Sequence, residues 1–174
     1  MSGTRISEGR ERIPAEMSYK EWRSNGGTEL YRQQPPPELP YKPVSEERYN
    51  QLIIPLKKMG VTIMRGSEEV ERYLDLRGAE GDTLDAYTVL FKQKVSISSI
   101  LEETHHVRQN RRGLNDDKDI RIRGTLNEID AKKYLLRVAG RYKIPREEIE
   151  ATKIQLKEYE KILKEYEERL GNGT

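Results

Sequence analysis

The chain contains no cysteine among its 174 residues, which excludes disulfide bonds, thiolate catalysis and zinc sites built from cysteine. It also lacks long apolar runs, since none approaches the roughly 18 residues that a membrane span requires. We therefore expect no membrane span and a soluble protein. Neither sign of charge dominates, because 32 basic residues nearly balance 30 acidic ones. The net charge thus gives no reason to expect nucleic-acid binding.

Proline is unevenly distributed, because six of the eight prolines lie in the first 45 residues, among glycine, serine and charged residues. This segment has few apolar side chains that a core could hold, so residues 1–45 are predicted to be a flexible linker. Trp22 lies within the linker, and of two alternatives, docking on the folded domain or partial exposure, we expect the partly exposed side chain. A single folded domain is predicted over residues 46–172.

Beyond the linker, the pattern predicts an α+β fold that is mostly α, with a small β-sheet packed against three C-terminal helices. Two β-rich runs, at residues 61–64 and 86–91, predict the strands of this sheet. Helices are predicted over residues 46–59, with an interruption at a proline, and over residues 67–76. Residues 78–81 are predicted to be a loop.

The three C-terminal helices are predicted from capping patterns and from glycines. Ser99 and Glu102 have the spacing of a capping box, so the first helix is expected to begin at Ser99. Thr125 and Glu128 have the same spacing and are expected to open the second helix. The third is predicted over residues 145–171. Its apolar residues recur every seven positions, which favours packing against the preceding helix over a coiled-coil dimer.

Both histidines of the chain lie in the run Glu102-Glu103-Thr104-His105-His106, which is its most site-like feature. Helical spacing places Glu102, His106 and Gln109 on one face, and this face is predicted to point away from the core. Glu102 and His106 are one helical turn apart. Their side chains can therefore reach a single metal ion.

A third ligand is predicted on the following helix, where Glu128 heads an apolar stripe and points inward. The alternative for Glu128 is a capping role alone, which needs no metal. Asp130 can accept a hydrogen bond from an imidazole, and Asp130 or Gln109 would orient the ligands. One imidazole and two carboxylates predict a divalent metal, zinc first and manganese or iron as alternatives. The strand at 86–91 is predicted to offer an edge to an extended substrate.

The histidine run is close to the pattern His-Glu-x-x-His, in which two histidines hold zinc and the glutamate polarises a zinc-bound water. Together with the strand before it and the run Asn127-Glu128-Ile129-Asp130-Ala131 after it, this segment resembles the small zincin-like metallopeptidase domains at the C-termini of bacterial polymorphic toxins. The resemblance covers residues 84–140. It predicts a strand, a metal-binding helix and a glutamate-bearing helix as the parts that form the site.

The resemblance also implies residue roles and partners. The ligands would be Glu102, where the family has histidine, together with His106 and Glu128, and the general base would be Glu103. The domain would be secreted, or delivered into a target cell, as part of a larger protein. Its substrate would be a peptide or protein, and a cognate immunity protein would bind it.

Two other hypotheses remain open. One is a metal-independent ribonuclease toxin, in which two histidines act as general acid and base and arginines hold phosphates. It assigns the site to His105, His106, Arg108, Arg111 and Arg112. Nucleic acid is a partner only under this hypothesis, and adjacent helical residues point in different directions, which counts against it. The other is a non-catalytic helical interaction module whose C-terminal heptads bind a partner.

Overall fold

The computed structural model describes residues 18–24 and 41–172. This part of the chain forms seven α-helices and three β-strands, which confirms the predicted α+β class with mostly helical content. In chain order the elements are α1 (Tyr19–Ser24), α2 (Glu46–Leu52), α3 (Ile54–Lys58), β1 (Thr62–Arg65), α4 (Glu68–Arg77), β2 (Gly81–Thr83), β3 (Thr88–Phe91), α5 (Ile97–Arg112), α6 (Ile120–Tyr142) and α7 (Arg146–Gly171). Most of the predicted linker, residues 1–45, lies outside the described residues. Within them, no helix is long and apolar enough to cross a bilayer.

The chain divides into two compact units, Met1–Thr104 and His105–Thr174. The boundary falls inside α5, which is one continuous helix, so the first turns of α5 belong to the first unit and its last turns to the second. The assignment of residues 46–172 to one domain stays a prediction.

The first unit contains a three-stranded sheet with the order β1-β3-β2. β1 pairs with β3 in parallel, and β2 pairs with β3 antiparallel, so that Gly81 faces Phe91. Both predicted strands are present. The strand predicted over residues 86–91 is nevertheless central, so the expectation that it offers a free edge is wrong. The second edge strand, β2, begins in the predicted loop at 78–81, because three residues are too few to show a strand pattern.

An aromatic cluster lies in the core of the first unit. α4 begins after Ser67, whose hydroxyl accepts a hydrogen bond from the backbone N–H of Val70, and it buries Tyr73. Trp22 packs on Tyr73 with ring centroids 5.6 Å apart and is 3% exposed. The expectation of an exposed Trp22 is therefore wrong. The short helix α1 places Tyr19 and Trp22 on the same face. Both side chains join a hydrophobic cluster whose other members come from later in the sequence.

The start of α5 differs from the prediction, since the helix begins at Ile97 and Ser99 lies inside it. The Ser96 hydroxyl accepts a hydrogen bond from the backbone N–H of Ser99 and so takes the capping position. The buried Glu80 carboxylate accepts hydrogen bonds from the Ser96 and Ser99 hydroxyls at 2.5 and 2.6 Å. A carboxylate is favourable there because a helix N-terminus carries partial positive charge. The predicted pairing of Ser99 with Glu102 is wrong.

The face of α5 that was expected to point away from the core is buried. Glu102, His106 and Gln109 are 3%, 7% and 3% exposed, and the apolar residues Ile100 and Val107 are buried as well. Polar side chains can be buried when they hydrogen-bond to one another, as those of His106 and Gln109 do. The polar face of this helix is therefore part of the interior.

The second unit contains the helix pair α6 and α7. α6 begins at Ile120 after Asp119, whose side chain accepts a hydrogen bond from the backbone N–H of Arg121, so the predicted start at Thr125 is wrong. α7 begins after Pro145 and ends at Gly171, as predicted. The two helices pack against each other, in agreement with an intramolecular role for the seven-residue repeat.

Candidate metal centre

Three predicted ligands come together: Glu102 and His106 on α5, and Glu128 on α6. Each offers one ligand atom, and these atoms lie within 4.8 Å of one another. Glu102 and His106 are positioned by one continuous helix. Glu128 meets His106 inside the second unit, and its own side chain is buried. The group is thus fixed by a single helix and by contacts within one unit.

The orientation of the His106 ring is set by Gln109. The amide nitrogen Nε2 of Gln109 donates to the backbone oxygen of Asn127 and to Oδ2 of Asp130, both at 2.8 Å. Both partners are acceptors, so the amide has only one favourable orientation. Its oxygen Oε1 then faces Nδ1 of His106 at 2.7 Å, and Nδ1 must donate. In the neutral ring, Nε2 therefore carries the lone pair that a metal requires.

Nε2 of His106 lies 3.5 Å from Oε1 of Glu128. This distance is longer than an ordinary N–H···O hydrogen bond of about 2.7–3.2 Å. Two atoms that each lie about 2.1 Å from a zinc ion at a tetrahedral angle are about 3.4 Å apart. The observed separation matches two ligands of one ion better than it matches a direct hydrogen bond.

Charge also favours a cation at this position. Two unit negative charges 4.8 Å apart repel by about 3.5 kcal/mol at an effective dielectric constant of about 20, and the ligand atoms of Glu102 and Glu128 lie within that distance. Burial raises the pKa of the Glu128 carboxyl, but neighbouring groups, which include His106 and the buried Lys132, lower it below its usual range. Glu128 is therefore available as a carboxylate ligand.

Glu103, the predicted general base, lies against the sheet. Its side chain is fully buried, and the Thr83 hydroxyl lies 2.7 Å from its Oε2 and 3.0 Å from its backbone oxygen. A methyl group added at Gly81 would lie 2.9 Å from Cγ of Glu103. β2 therefore holds this side chain from two sides. Glu103 is not one of the three residues that converge on the candidate ion.

His105 has partners of its own. Its ring stacks on Tyr134 with centroids 4.2 Å apart, and its Nε2 lies 2.7 Å from Oδ2 of Asp130. Burial lowers the pKa of His105, while Asp130 acts in the opposite direction. Burial tends to raise the pKa of Asp130, but the hydrogen bonds from Gln109 and His105 lower it below its usual range. Asp130 thus faces the imidazole of His105 and not that of the predicted ligand His106.

The residues of the ribonuclease hypothesis are dispersed. The two imidazoles are buried and are held by different partners, Asp130 for His105 and Gln109 for His106. Arg111 and Arg112 lie exposed in the last turn of the same helix, and the Arg108 side chain is half-buried. This geometry does not favour a shared phosphate site.

Sequence reasoning missed four contributors: Thr83, Asn127, Lys132 and Tyr134. Thr83 could not have been found, because it lies on β2 and hydrogen-bonds Glu103 on α5, which is distant in sequence. Asn127 could not have been found either, because it contributes only its backbone oxygen. Lys132 and Tyr134 could have been predicted, because each is one turn after an acidic site residue on α6.

Comparisons with protein-family models, curated proteins and solved structures found no match for the chain.

Proposed function

We propose that the chain binds one divalent cation through Glu102, His106 and Glu128 and hydrolyses peptide bonds with it, in the manner of a zincin-like metallopeptidase. The observation that supports this proposal is the convergence of three buried ligand atoms within 4.8 Å, one of them an imidazole nitrogen whose partner nitrogen is held as a donor. A buried imidazole and two buried carboxylates are costly to assemble without a cation.

The donor set bears on the metal. One nitrogen and two carboxylate oxygens suit zinc in a site with three protein ligands, which leaves a fourth position for water or substrate. Manganese and iron accept the same donors, and their preference for oxygen is greater. We propose zinc, with manganese and iron as the alternatives that reloading experiments separate.

Glu103 is the proposed general base. When bound, the metal would activate water and polarise the substrate carbonyl. The carboxylate of Glu103 would take a proton from the attacking water and return it to the leaving nitrogen. The Thr83 hydroxyl donates to Oε2 of Glu103. β2 keeps the side chain in one place.

The experiment compares Glu103→Gln with wild type in two assays. Metal content is measured by elemental analysis after chelation and reloading with zinc or manganese, and hydrolysis is followed with casein and a proteome-derived peptide library. We expect Glu103→Gln to keep its metal and to lose hydrolysis by about 10²-fold or more. Glu158→Gln, which makes the same change on the exposed side of α7, is the control. Equal hydrolysis by wild type and Glu103→Gln would overturn the peptidase proposal, and a bound metal without hydrolysis would make the ion structural.

The biological setting is proposed from the sequence resemblance alone. The chain would be the toxin domain of a larger secreted protein, delivered into a target cell and neutralised by an immunity protein. Expression of the wild-type chain inside bacteria should then slow growth, and expression of Glu103→Gln should not. Growth inhibition of equal strength by both variants would contradict a catalytic toxin.

A further inference from the structure

His105 lies beside a proposed ligand, but it contacts other residues. Its ring stacks on that of Tyr134 with an interplanar angle of 8°, and its Nε2 is 2.7 Å from Oδ2 of Asp130. The Asp130 side chain is 39% exposed, and its Oδ2 also faces the Nε2 amide donor of Gln109 at 2.8 Å, so this oxygen is an acceptor. His105 is therefore the donor in this hydrogen bond. Its tautomer is thus set by Asp130.

The same oxygen of Asp130 receives a second hydrogen bond. Nε2 of Gln109 lies 2.8 Å from Oδ2, and its other N–H donates to the backbone oxygen of Asn127. Two donors from α5 thus converge on one carboxylate oxygen of α6. Each hydrogen bond in this series, from His105 and Gln109 to Asp130 and Asn127, has a fixed direction, because a carboxylate and a carbonyl cannot donate.

We infer that His105 is a positioning residue for the metal centre. By donating to Asp130 it holds the carboxylate in the orientation that Gln109 requires. Gln109 in turn presents its amide oxygen to Nδ1 of His106, which leaves Nε2 as the ligand nitrogen. This inference rests on the proposed function, since it assigns the residue that prepares the proposed ligand.

If His105 had a purely structural role, its loss would lower stability and leave the tautomer of His106 unchanged. The Asp130 side chain is 39% exposed, so water can replace a lost donor and the fold does not depend on this hydrogen bond. What water cannot do is fix the orientation of the carboxylate. Loss of the donor should therefore change the hydrogen-bond chain that ends at His106 more than it changes stability.

Two variants of His105 distinguish the effect of its N–H donor from the effect of its stacked ring. His105→Phe keeps a flat ring that can stack on Tyr134 and removes the donor, whereas His105→Gln keeps an N–H donor. Zinc affinity is measured by competition with a chelating dye. We expect His105→Phe to weaken zinc binding by about tenfold, the lower end of the range for residues that orient metal ligands, and His105→Gln to restore most of it.

The tautomer of His106 gives a second readout. The chain has only two histidines, so in His105→Phe the one remaining imidazole in a long-range ¹H–¹⁵N NMR spectrum belongs to His106. In wild type at alkaline pH, Nδ1 of His106 should carry the proton in the metal-free protein, and zinc should bind Nε2. His105→Phe should show both tautomers when metal-free.

An unchanged tautomer and an unchanged zinc affinity in His105→Phe would overturn the inference. If that variant does not fold, Asp130→Ala breaks the same chain at its partly exposed member and is judged by the same two readouts. Failure of the wild-type chain to bind zinc would contradict the proposed function. The tautomer of the metal-free protein would still support or overturn the positioning role of His105.

Discussion

Gly81→Ala should separate the position of Glu103 from the binding of metal. A Cβ atom at residue 81 would lie 2.9 Å from Cγ of Glu103 and 3.0 Å from Cδ1 of Phe91, and both of these side chains are fully buried. Overpacking of this kind costs about 1–3 kcal/mol, and the reduced freedom of the unfolded chain offsets about 0.4–1 kcal/mol. We expect a net loss of about 1–2 kcal/mol, or a melting temperature lower by about 2–8 °C in a chain of this size.

The loss is measured by urea unfolding, with the single tryptophan, Trp22, as the fluorophore. Gly124→Ala and Gly140→Ala are matched controls, because a Cβ at either position in α6 meets no atom within 4 Å. Alanine is favoured over glycine in a helix, so these variants should gain up to about 1 kcal/mol. Gly81→Ala should also lower hydrolysis while zinc affinity stays near wild type. A Gly81→Ala protein as stable as the two controls would refute the close contact of β2 with Glu103.

Other perturbations test the fold and the ion. Trp22→Ala should cost about 3–5 kcal/mol in urea unfolding followed by circular dichroism, because the side chain is buried against two tyrosines. Tyr87→Ala at an exposed position should change stability by about 0.5 kcal/mol or less in the same assay. Similar losses in both would contradict the docking of α1. Asp119→Ala should lower the melting temperature because it removes the N-terminal cap of α6, and Thr125→Ala should leave it nearly unchanged. If thermal unfolding showed the larger loss for Thr125→Ala, α6 would begin at Thr125, as the sequence predicted. Zinc at about 100 times its dissociation constant should stabilise wild type by about 2.7 kcal/mol in thermal unfolding and should have little effect on Glu128→Gln; equal stabilisation of both would exclude Glu128 as a ligand.

Local signals predicted much of the secondary structure. Ser67 and Gly78 mark the two ends of α4 because a hydroxyl cap and a left-handed glycine are requirements of the backbone itself. The same kind of signal misled at Thr125, where the spacing of a capping box occurs inside a longer helix. Ile120 is 79% exposed, so the first turns of α6 show no apolar stripe that would reveal them.

The candidate site was predictable in its members and not in its environment. Spacing on one helix brings Glu102 and His106 together, and the inward direction of Glu128 followed from the stripe of α6. The burial of these polar side chains was not predictable, because it depends on partners that are distant in sequence. Gln109 is oriented in part by the backbone oxygen of Asn127, an atom that every residue has and that leaves no mark in a sequence.

The most direct test of the metal centre is X-ray absorption at the zinc edge of protein that has been loaded with one equivalent of zinc. We expect one imidazole nitrogen and two or more oxygens at about 2.0–2.2 Å, with the imidazole signal lost in His106→Ala and kept in His105→Phe. Zinc surrounded by water oxygens alone, or an imidazole signal that survives His106→Ala, would contradict a centre formed by Glu102, His106 and Glu128.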